Sequence, residues 1–306
     1  MQDFHFLITE EYENERLDKA LSDLTDETVS RSYLQKLIKE NQIFVNEKAQ
    51  KASYRLKLED YVAFSIPDQI EPDILPEDIP LDILYEDHDV IVVNKPKDMV
   101  VHPAAGHFEH TLVNGLLFHC KDSLSGINGV LRPGIVHRID KDTTGSIIAC
   151  KNDAAHKAIA EQLKSHTITR KYRAICAGVI TEETGTINAP IGRDEKDRKK
   201  MAVNQKNGKH AVTHFRVLER FSNYTYVECQ LETGRTHQIR VHMASIGHPL
   251  LGDTVYSTRK WPFILNGQTL HAYILGFYHP INGEYIETTA PIPEYFTALL
   301  DKLRKM

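Results

Sequence analysis

The sequence predicts an α+β protein built as a large unit behind a small N-terminal one. Three observations carry this: a proline-rich acidic segment over 67–80, a helix–helix–hairpin pattern before it, and apolar strands interspersed with amphipathic helices after it. With 306 residues, 41% of them hydrophobic and 26% charged, the chain has apolar material for a large core and length for more than one domain.

Within 1–66, Leu17, Leu21 and Leu24 recur at helical spacing, and Ser30 is placed to cap a second helix that buries Leu34, Leu37 and Ile38. "QIFVNEKAQ" reads as a strand entering an Asn46-Glu47 turn, and "DYVAFSIP" closes the unit with alternating apolar residues. The segment 67–80 holds Pro67, Pro72, Pro76 and Pro80 together with Asp68, Glu71, Asp73, Glu77 and Asp78, and no Lys or Arg. Its prolines deny it helix or central-strand pairing and its like charges extend it, so it reads as a linker.

That linker also explains the net charge of −5. Residues 1–66 carry nine Lys and Arg against thirteen Asp and Glu, the linker carries −5, and 81–306 is left with +4. Between 31 and 57 the small unit is itself basic, with Arg31, Lys36, Lys39, Lys48, Lys51, Arg55 and Lys57 against Glu40 and Glu47. Distribution rather than total charge governs polyanion binding, so a nucleic-acid partner stays open.

In 81–306, "DVIVVNKP" is a strand stopped by Pro96, and "SIIAC" is another. The latter leads into a helix capped at Asn152 or Asp153 that buries Ala155, Ile159 and Leu163. Further strands are expected at "RKYRAICAGVI", "THFRVLERF", "YTYVECQLE" and "HAYILGFYHP", with a last helix at "PEYFTALLDKLR". The stretch 192–210 carries Arg193, Lys196, Arg198, Lys199, Lys200, Lys206 and Lys209 without apolar periodicity and reads as a polar loop or a solvated hairpin tip.

Three constellations carry candidate chemistry. "GIVHRIDKDTTGSIIAC" places His137, Arg138, Asp140, Lys141 and Asp142 on a turn between two apolar runs, with Gly145 at its exit, which holds a carboxylate rigidly at a pocket edge. "ETGRTHQIRVHMASIGHPLLGD" supplies Arg235, His237, Gln238, Arg240, His242 and His248. Arg235, Gln238 and Arg240 are planar multi-donor groups suited to carboxylate or phosphate, and Gly234 permits close backbone approach. "TITRKYRAI" sets Tyr172 among Arg170, Lys171 and Arg173, an arrangement suited to stacking on a base. Each also has a structural reading: a salt-bridged Asp, an ion-pair network and a core tyrosine.

Several classes lack support. There is no zinc spacing, no phosphate loop, no dinucleotide fingerprint and no G-x-S-x-G, so neither metal nor cofactor is expected. Cys120, Cys150, Cys176 and Cys229 are dispersed and read as reduced structural thiols. The first residues have neither a basic start nor an apolar run, and no window approaches a membrane span, which points to a cytoplasmic protein away from membranes.

The order of pieces in "ERLDKAL…SRSYLQKLIKENQIFVNEKAQKASYRLKLEDYV" resembles the S4 RNA-binding domain, whose basic second helix faces RNA. "HRIDKDTTG", "VVNKPKDMVVHP" and "TGRTHQIRVHM…GHPLLGD" resemble, in order, the signatures HRLDKxTSG, NKPxGxxVHP and the arginine motif of the RluA group of pseudouridine synthases. Asp98 stands where the second signature has glycine. The chain is most similar to the bacterial RluD-type enzymes of that group, over nearly its whole length.

The resemblance implies an S4-like domain over 1–66, the linker over 67–80 and a pseudouridine synthase domain over 81–306 with a mixed, largely antiparallel sheet, flanking helices and a central cleft. It implies an isomerase acting on uridines of large-subunit (23S) ribosomal RNA, as a monomer and without cofactor. Asp140 becomes the catalytic carboxylate, Tyr172 the platform beneath the uracil, Arg240 the partner of Asp140, and Arg138 the plug where the base was. RNA contacts fall to His137, Lys141, Arg235, His237 and Gln238, to Arg31, Lys36 and Lys39 on the small unit, and to Arg198, Lys199 and Lys200 in the polar loop. An arginine at ion-pair distance favours an ionised carboxylate, and an aromatic platform returns about 1–3 kcal/mol against the cost of base extrusion. The alternative is a non-catalytic RNA-binding factor in ribosome assembly, which would have no use for that carboxylate.

Overall fold

The structure is a computed structural model that describes residues 2–25, 29–66, 74–103, 107–121, 123–127, 129, 132–197 and 200–306, with only the backbone of residue 2. It divides into two units, Met1–Glu71 and Pro72–Met306.

In the first unit β1 (Gln2–Leu7), α1 (Leu17–Leu24), α2 (Arg31–Lys39), β2 (Ile43–Val45), β3 (Lys48–Ala49) and β4 (Tyr61–Ile66) follow in order. The sheet runs β1-β4-β2-β3 and every pairing in it is antiparallel. Asn46 and Glu47 both have positive φ, 49° and 62°, as a two-residue hairpin turn with right-handed strand twist requires. The Ser30 side chain accepts the Tyr33 N–H and caps α2, whose Leu34, Leu37 and Ile38 bury against Leu17 and Leu21 of α1. β1 is an addition to the sequence-based expectation. Its Phe4 stacks on Phe64 with ring centroids 5.0 Å apart, completing an edge of that core.

One buried carboxylate ties the two helices. Asp18 of α1 is fully buried and accepts from Arg16 Nε at 3.0 Å, Arg31 Nη2 at 2.8 Å and Gln35 Nε2 at 2.6 Å. Burial alone would raise its pKa, but hydrogen bonds from Arg16, Gln35 and Arg31 outweigh it and hold the group down to about 2. Arg31 is therefore a helix-to-helix brace, whereas Lys36, 3.9 Å from Glu40, and Lys39 are exposed on the same helix.

The second unit is built on one nine-stranded sheet, ordered β5-β6-β7-β14-β8-β13-β12-β9, with β15 also pairing β14. The strands are β5 (Ile83–Glu86), β6 (Val90–Lys95), β7 (Thr144–Cys150), β8 (Thr169–Ala177), β9 (Thr184–Asn188), β12 (Val212–Arg220), β13 (Tyr224–Leu231), β14 (Leu270–Tyr278) and β15 (Tyr285–Thr289). Within it β7 and β14 pair in parallel and the other pairings are antiparallel, so the sheet is mixed and largely antiparallel. The accompanying helices are α3 (Leu112–Cys120), α4 (Asp153–Lys164), α5 (Gln238–Ser245) and α6 (Glu294–Arg304). Asn152 caps α4 by accepting the Ala155 N–H. Cys120, Cys150, Cys176 and Cys229 are all buried free thiols. Among the described residues no helix is long and apolar enough to cross a membrane.

The structure refines three sequence-based expectations. The apolar "GIV" lead-in makes one isolated bridge, Ile135 to Ala149, and the chain then runs irregularly to 143. Gly145 is not the exit of a turn but lies inside β7 at φ 109°, where a Cβ would collide with the Ala272 carbonyl on β14. Close parallel pairing of β7 with β14 thus requires glycine there. The polar loop at 192–210 contains most of a hairpin of β10 (Ile191–Arg193) and β11 (Met201–Val203). Met201 and Val203 pack with Ile191 and Val241, an alternation hidden in the lysine-rich sequence.

Replacing Asp18 with Asn should weaken the α1–α2 contact by about 2 kcal/mol, since a carboxyl pKa depressed from 3.8 to about 2 carries that much linkage. The contribution is present above about pH 4 and is lost as pH falls through about 2. Hydrogen exchange followed by mass spectrometry at pH 7 should show faster exchange in peptides from 17–39 and unchanged exchange in β6 to β8.

Candidate active site

The end of β6 and the start of β7 position the carboxylate. Lys95, the last residue of β6, is fully buried, and its ammonium donates to the carbonyls of Pro96 at 2.8 Å, Met99 at 2.8 Å and Lys141 at 2.9 Å. Desolvation pushes Lys95 down to about 7 against the opposing pull of Asp142, Asp140 and Asp98, and three carbonyl acceptors favour the charged amine further. The loop that carries Asp140 is thereby fastened to the strand beside it. Asp98, where the resembling signature has glycine, adopts φ 66°, the backbone that a glycine would supply. Its carboxylate also lies 2.9 Å from Lys141 Nζ, so the substitution keeps the loop shape and adds a surface ion pair.

Helix α5 brings the counter-charge. It begins after His237, which has φ 57°, and Gln238 anchors it. The Gln238 amide accepts from Arg235 N and Thr233 Oγ1 and donates to Val212 O and Thr213 Oγ1, at 2.8 to 3.0 Å. Two residues later Arg240 is buried, with Nη1 donating to Asp140 Oδ2 at 2.9 Å. Its Nε and Nη2 grip Asp253 Oδ2 and Oδ1 at 2.7 and 3.0 Å, and the guanidinium lies 5.1 Å from the Tyr256 ring centre. Burial would lower the Arg240 pKa, but Asp253 foremost, and Asp140 with it, raise it above its ordinary value. Asp253 in turn accepts the backbone N–H groups of Val255 and Tyr256.

A cavity of about 480 Å³ opens over this pair, within the usual range for ligand sites. Ile139, Leu231, Ile239 and Leu270 give it apolar walls, Tyr172 faces into it from β8, and Asp140 is the one carboxylate among the lining residues. Burial raises the Tyr172 phenol above its usual range, so it presents a neutral aromatic surface. Strand alternation separates the cations flanking it: Arg173 faces away, 3.1 Å from Glu228 and over the Tyr273 ring, and Arg170 alone shares its side. His237 is hydrogen-bonded through Nδ1 to Tyr256 Oη at 2.7 Å, and its Nε2 lies 3.8 Å from Asp140 Oδ1. Burial lowers its pKa against the attraction of Asp140, which leaves a neutral imidazole beside the carboxylate near pH 7.

The structure brings Asp140, Tyr172, Arg240, His237, Arg235 and Arg138 to this cavity, with Arg138 exposed at its wall, 3.5 Å from His102 Nε2. Two residues expected to contact RNA are engaged within the protein itself. Gln238 lines the cavity wall, but its amide is fully engaged inside the protein and has no donor left for RNA. His137 accepts the Ile148 N–H at Nε2, and burial, then Arg170, push it down to about 3, so it offers no cation to a phosphate. Lys141 is exposed beside Asp98, and Lys200 is half-buried in the β10–β11 hairpin. Arg198 and Lys199 lie outside the described residues. Asp253 and Tyr256 were missed by sequence reasoning, although Asp253 closes the "GHPLLGD" stretch. Elsewhere, Asp87, Asp89 and His279 bring possible metal ligands together among the described residues. Asp87 there already accepts from Tyr85, His279 and two backbone N–H groups.

A mixed sheet holding one arginine-paired carboxylate beside a buried aromatic suits chemistry on a nucleobase without redox or metal assistance. Comparison makes the class definite: residues 89–245 match the RNA pseudouridylate synthase family, and the chain belongs to it. The protein is an RNA pseudouridine synthase, an isomerase. It is 55% identical over 305 residues to the uncharacterized RNA pseudouridine synthase YlyB of Bacillus subtilis, covering 100% of this chain and 99% of that one. It is 45% identical over 310 residues to the ribosomal large subunit pseudouridine synthase D of Zymomonas mobilis, covering 97% and 96%. Human RNA pseudouridylate synthase domain containing 1 shares the fold at TM-score 0.56 and 26% identity, over 75% of this chain and 97% of its own. Family membership sets aside the non-catalytic assembly factor.

Replacing Lys95 with Met should free the loop bearing Asp140 and leave three carbonyls without their donor, at a cost of about 1 kcal/mol or more each. Thermal unfolding should shift down, and pseudouridine formation should fall on the order of a hundredfold through misplacement of the carboxylate. Full activity in the variant would show that the clamp does not position Asp140.

Proposed function

We propose that this synthase converts uridines of large-subunit (23S) ribosomal RNA to pseudouridine, with Asp140 as the catalytic carboxylate. Tyr172 stacks beneath the target uracil, Arg240 holds Asp140 in place, and Arg138 enters the RNA stack where the base stood. The observation that carries the reading is the 2.9 Å contact of Arg240 with Asp140, the one carboxylate lining a cavity that Tyr172 also walls. The N1–C1′ bond breaks, the uracil turns and C5 bonds to C1′. C5 releases its proton and N1 takes one up, so no oxidant, reductant or outside group is consumed. Ile139, Ile239 and Leu270 shield the detached base from water, whose attack would turn isomerisation into hydrolysis.

Base extrusion costs a few kcal/mol and stacking returns about 1–3 kcal/mol, so phosphate contacts supply the remainder. Exposed Lys36 and Lys39 on α2 supply them from the first unit, read as an S4-type RNA-binding domain ahead of a linker over 67–80. Lys141, Arg235 and the β10–β11 hairpin supply them from the second. Large-subunit RNA is favoured by the named activity of the Zymomonas relative over nearly the whole chain. The enzyme works in the cytoplasm as a monomer on this reading.

Tritium release from unmodified 23S RNA labelled at uracil C5 tests the assignment. Wild type should release the label, and Asp140→Asn should release less than about a thousandth as fast while binding the RNA equally well. Comparable release by the variant would remove Asp140 from the chemistry.

A further inference from the structure

The cavity that holds Asp140 and Tyr172 also has a cationic arm. Lys164 from the last turn of α4, His166 just after it, Arg170 from β8 and Arg235 from the β13–α5 connection line this arm, and no Asp or Glu joins them. Tyr172 and Arg170 are two positions apart on β8, so they share one face of the strand, and both line the cavity with Asp140.

Arg170 is the residue that asks for an explanation. It is 6% exposed; its Nη2 donates to the Glu232 carbonyl at 2.8 Å, and its buried Nε has no partner. Among the described residues no carboxylate pairs with it, although Arg240 is held by two and Arg173 faces Glu228. Room is made for its guanidinium: a Cβ at Gly234 would lie 2.6 Å from Arg170 Nη1. Arg235 is held through Nε by the His210 carbonyl, and Lys164 is only loosely tied to Glu161 at 3.7 Å. An unpaired buried charge is costly and persists where a ligand supplies the counter-charge.

We propose that this arm is an anion subsite in which Arg170, with Lys164, His166 and Arg235 at its rim, takes the phosphodiester flanking the target uridine once the base lies on Tyr172. Two residues along a strand are about 7 Å apart, a spacing on the scale of one nucleotide from base to backbone. Because the contact forms only in the extruded state, it favours turnover rather than docking of the RNA. Arg170 is accordingly a positioning residue. The inference rests on the reading of Asp140 and Tyr172 as the base site.

The test is phosphate-ethylation interference. Unmodified 23S RNA, ethylated sparsely at random phosphates, is turned over by the full-length enzyme, and the ethyl groups flanking each new pseudouridine are mapped. Wild type should exclude ethylation at one flanking phosphate by about tenfold or more, as expected for a charge-assisted contact. In Arg170→Met that exclusion should vanish and kcat should fall about 10- to 100-fold while RNA affinity changes less than about twofold; Arg170→Lys should recover much of the loss. Product with uniform flanking ethylation from wild type, or unchanged exclusion in Arg170→Met, would overturn the subsite alone. Absence of pseudouridine from wild type on this RNA, free or assembled, would overturn the base-site reading and the subsite with it.

Discussion

A single buried guanidinium organises the second unit's chemistry. Arg240 cannot lie in an apolar interior without counter-charge, and it takes that charge from Asp253 through two hydrogen bonds and from Asp140 through one. Asp253 and the face of Tyr256 fix the plane of the guanidinium, leaving its free edge directed at Asp140. The carboxylate is fixed from its own side by Lys95, which holds the loop through three carbonyls. Two elements distant in sequence thus meet at one ion pair, each braced by a second network behind it.

The fold's own hydrogen bonds also occupy polar side chains that a motif would offer to a substrate. Gln238 and His137 look like contact residues in a motif, yet both satisfy backbone groups of the protein itself. Asp98 shows the converse. A departure from the signature keeps the left-handed backbone that the loop needs and gains Lys141 as a partner. A motif records which residue types recur, whereas the hydrogen-bond inventory tells which donors remain free.

Much of the second unit was legible because β6 and β7 are apolar runs, β8, β12, β13 and β14 are long and rich in β-branched or aromatic residues, and α4 and α6 carry one apolar stripe each. Helix α5 was not, since Gln238 to Met243 are buried on every side and leave no amphipathic period to read. Strands β9 and β10 are short and polar enough to pass for loop, β11 is three residues beside a lysine-rich stretch, and β1 is an edge strand whose Phe4 and Phe6 are half-buried. The pairing of Asp140 with Arg240 spans 100 positions and was reached through family resemblance, not periodicity. Asp253 escaped notice because an Asp after Gly reads as a turn, and its partner on α5 had no predicted place.

The central claim is that Asp253 acts through Arg240, and Arg240 through Asp140. It is tested most directly by single-turnover pseudouridine formation in Arg240→Lys, Asp253→Asn and the double variant, each checked for an intact fold. Lysine keeps the charge but cannot bridge two carboxylates in one plane. A serial arrangement makes the double variant no slower than the slower single variant, within about threefold, because both changes remove one constraint. Rate losses that multiply would show that Asp253 and Arg240 serve the reaction separately and would contradict the clamp.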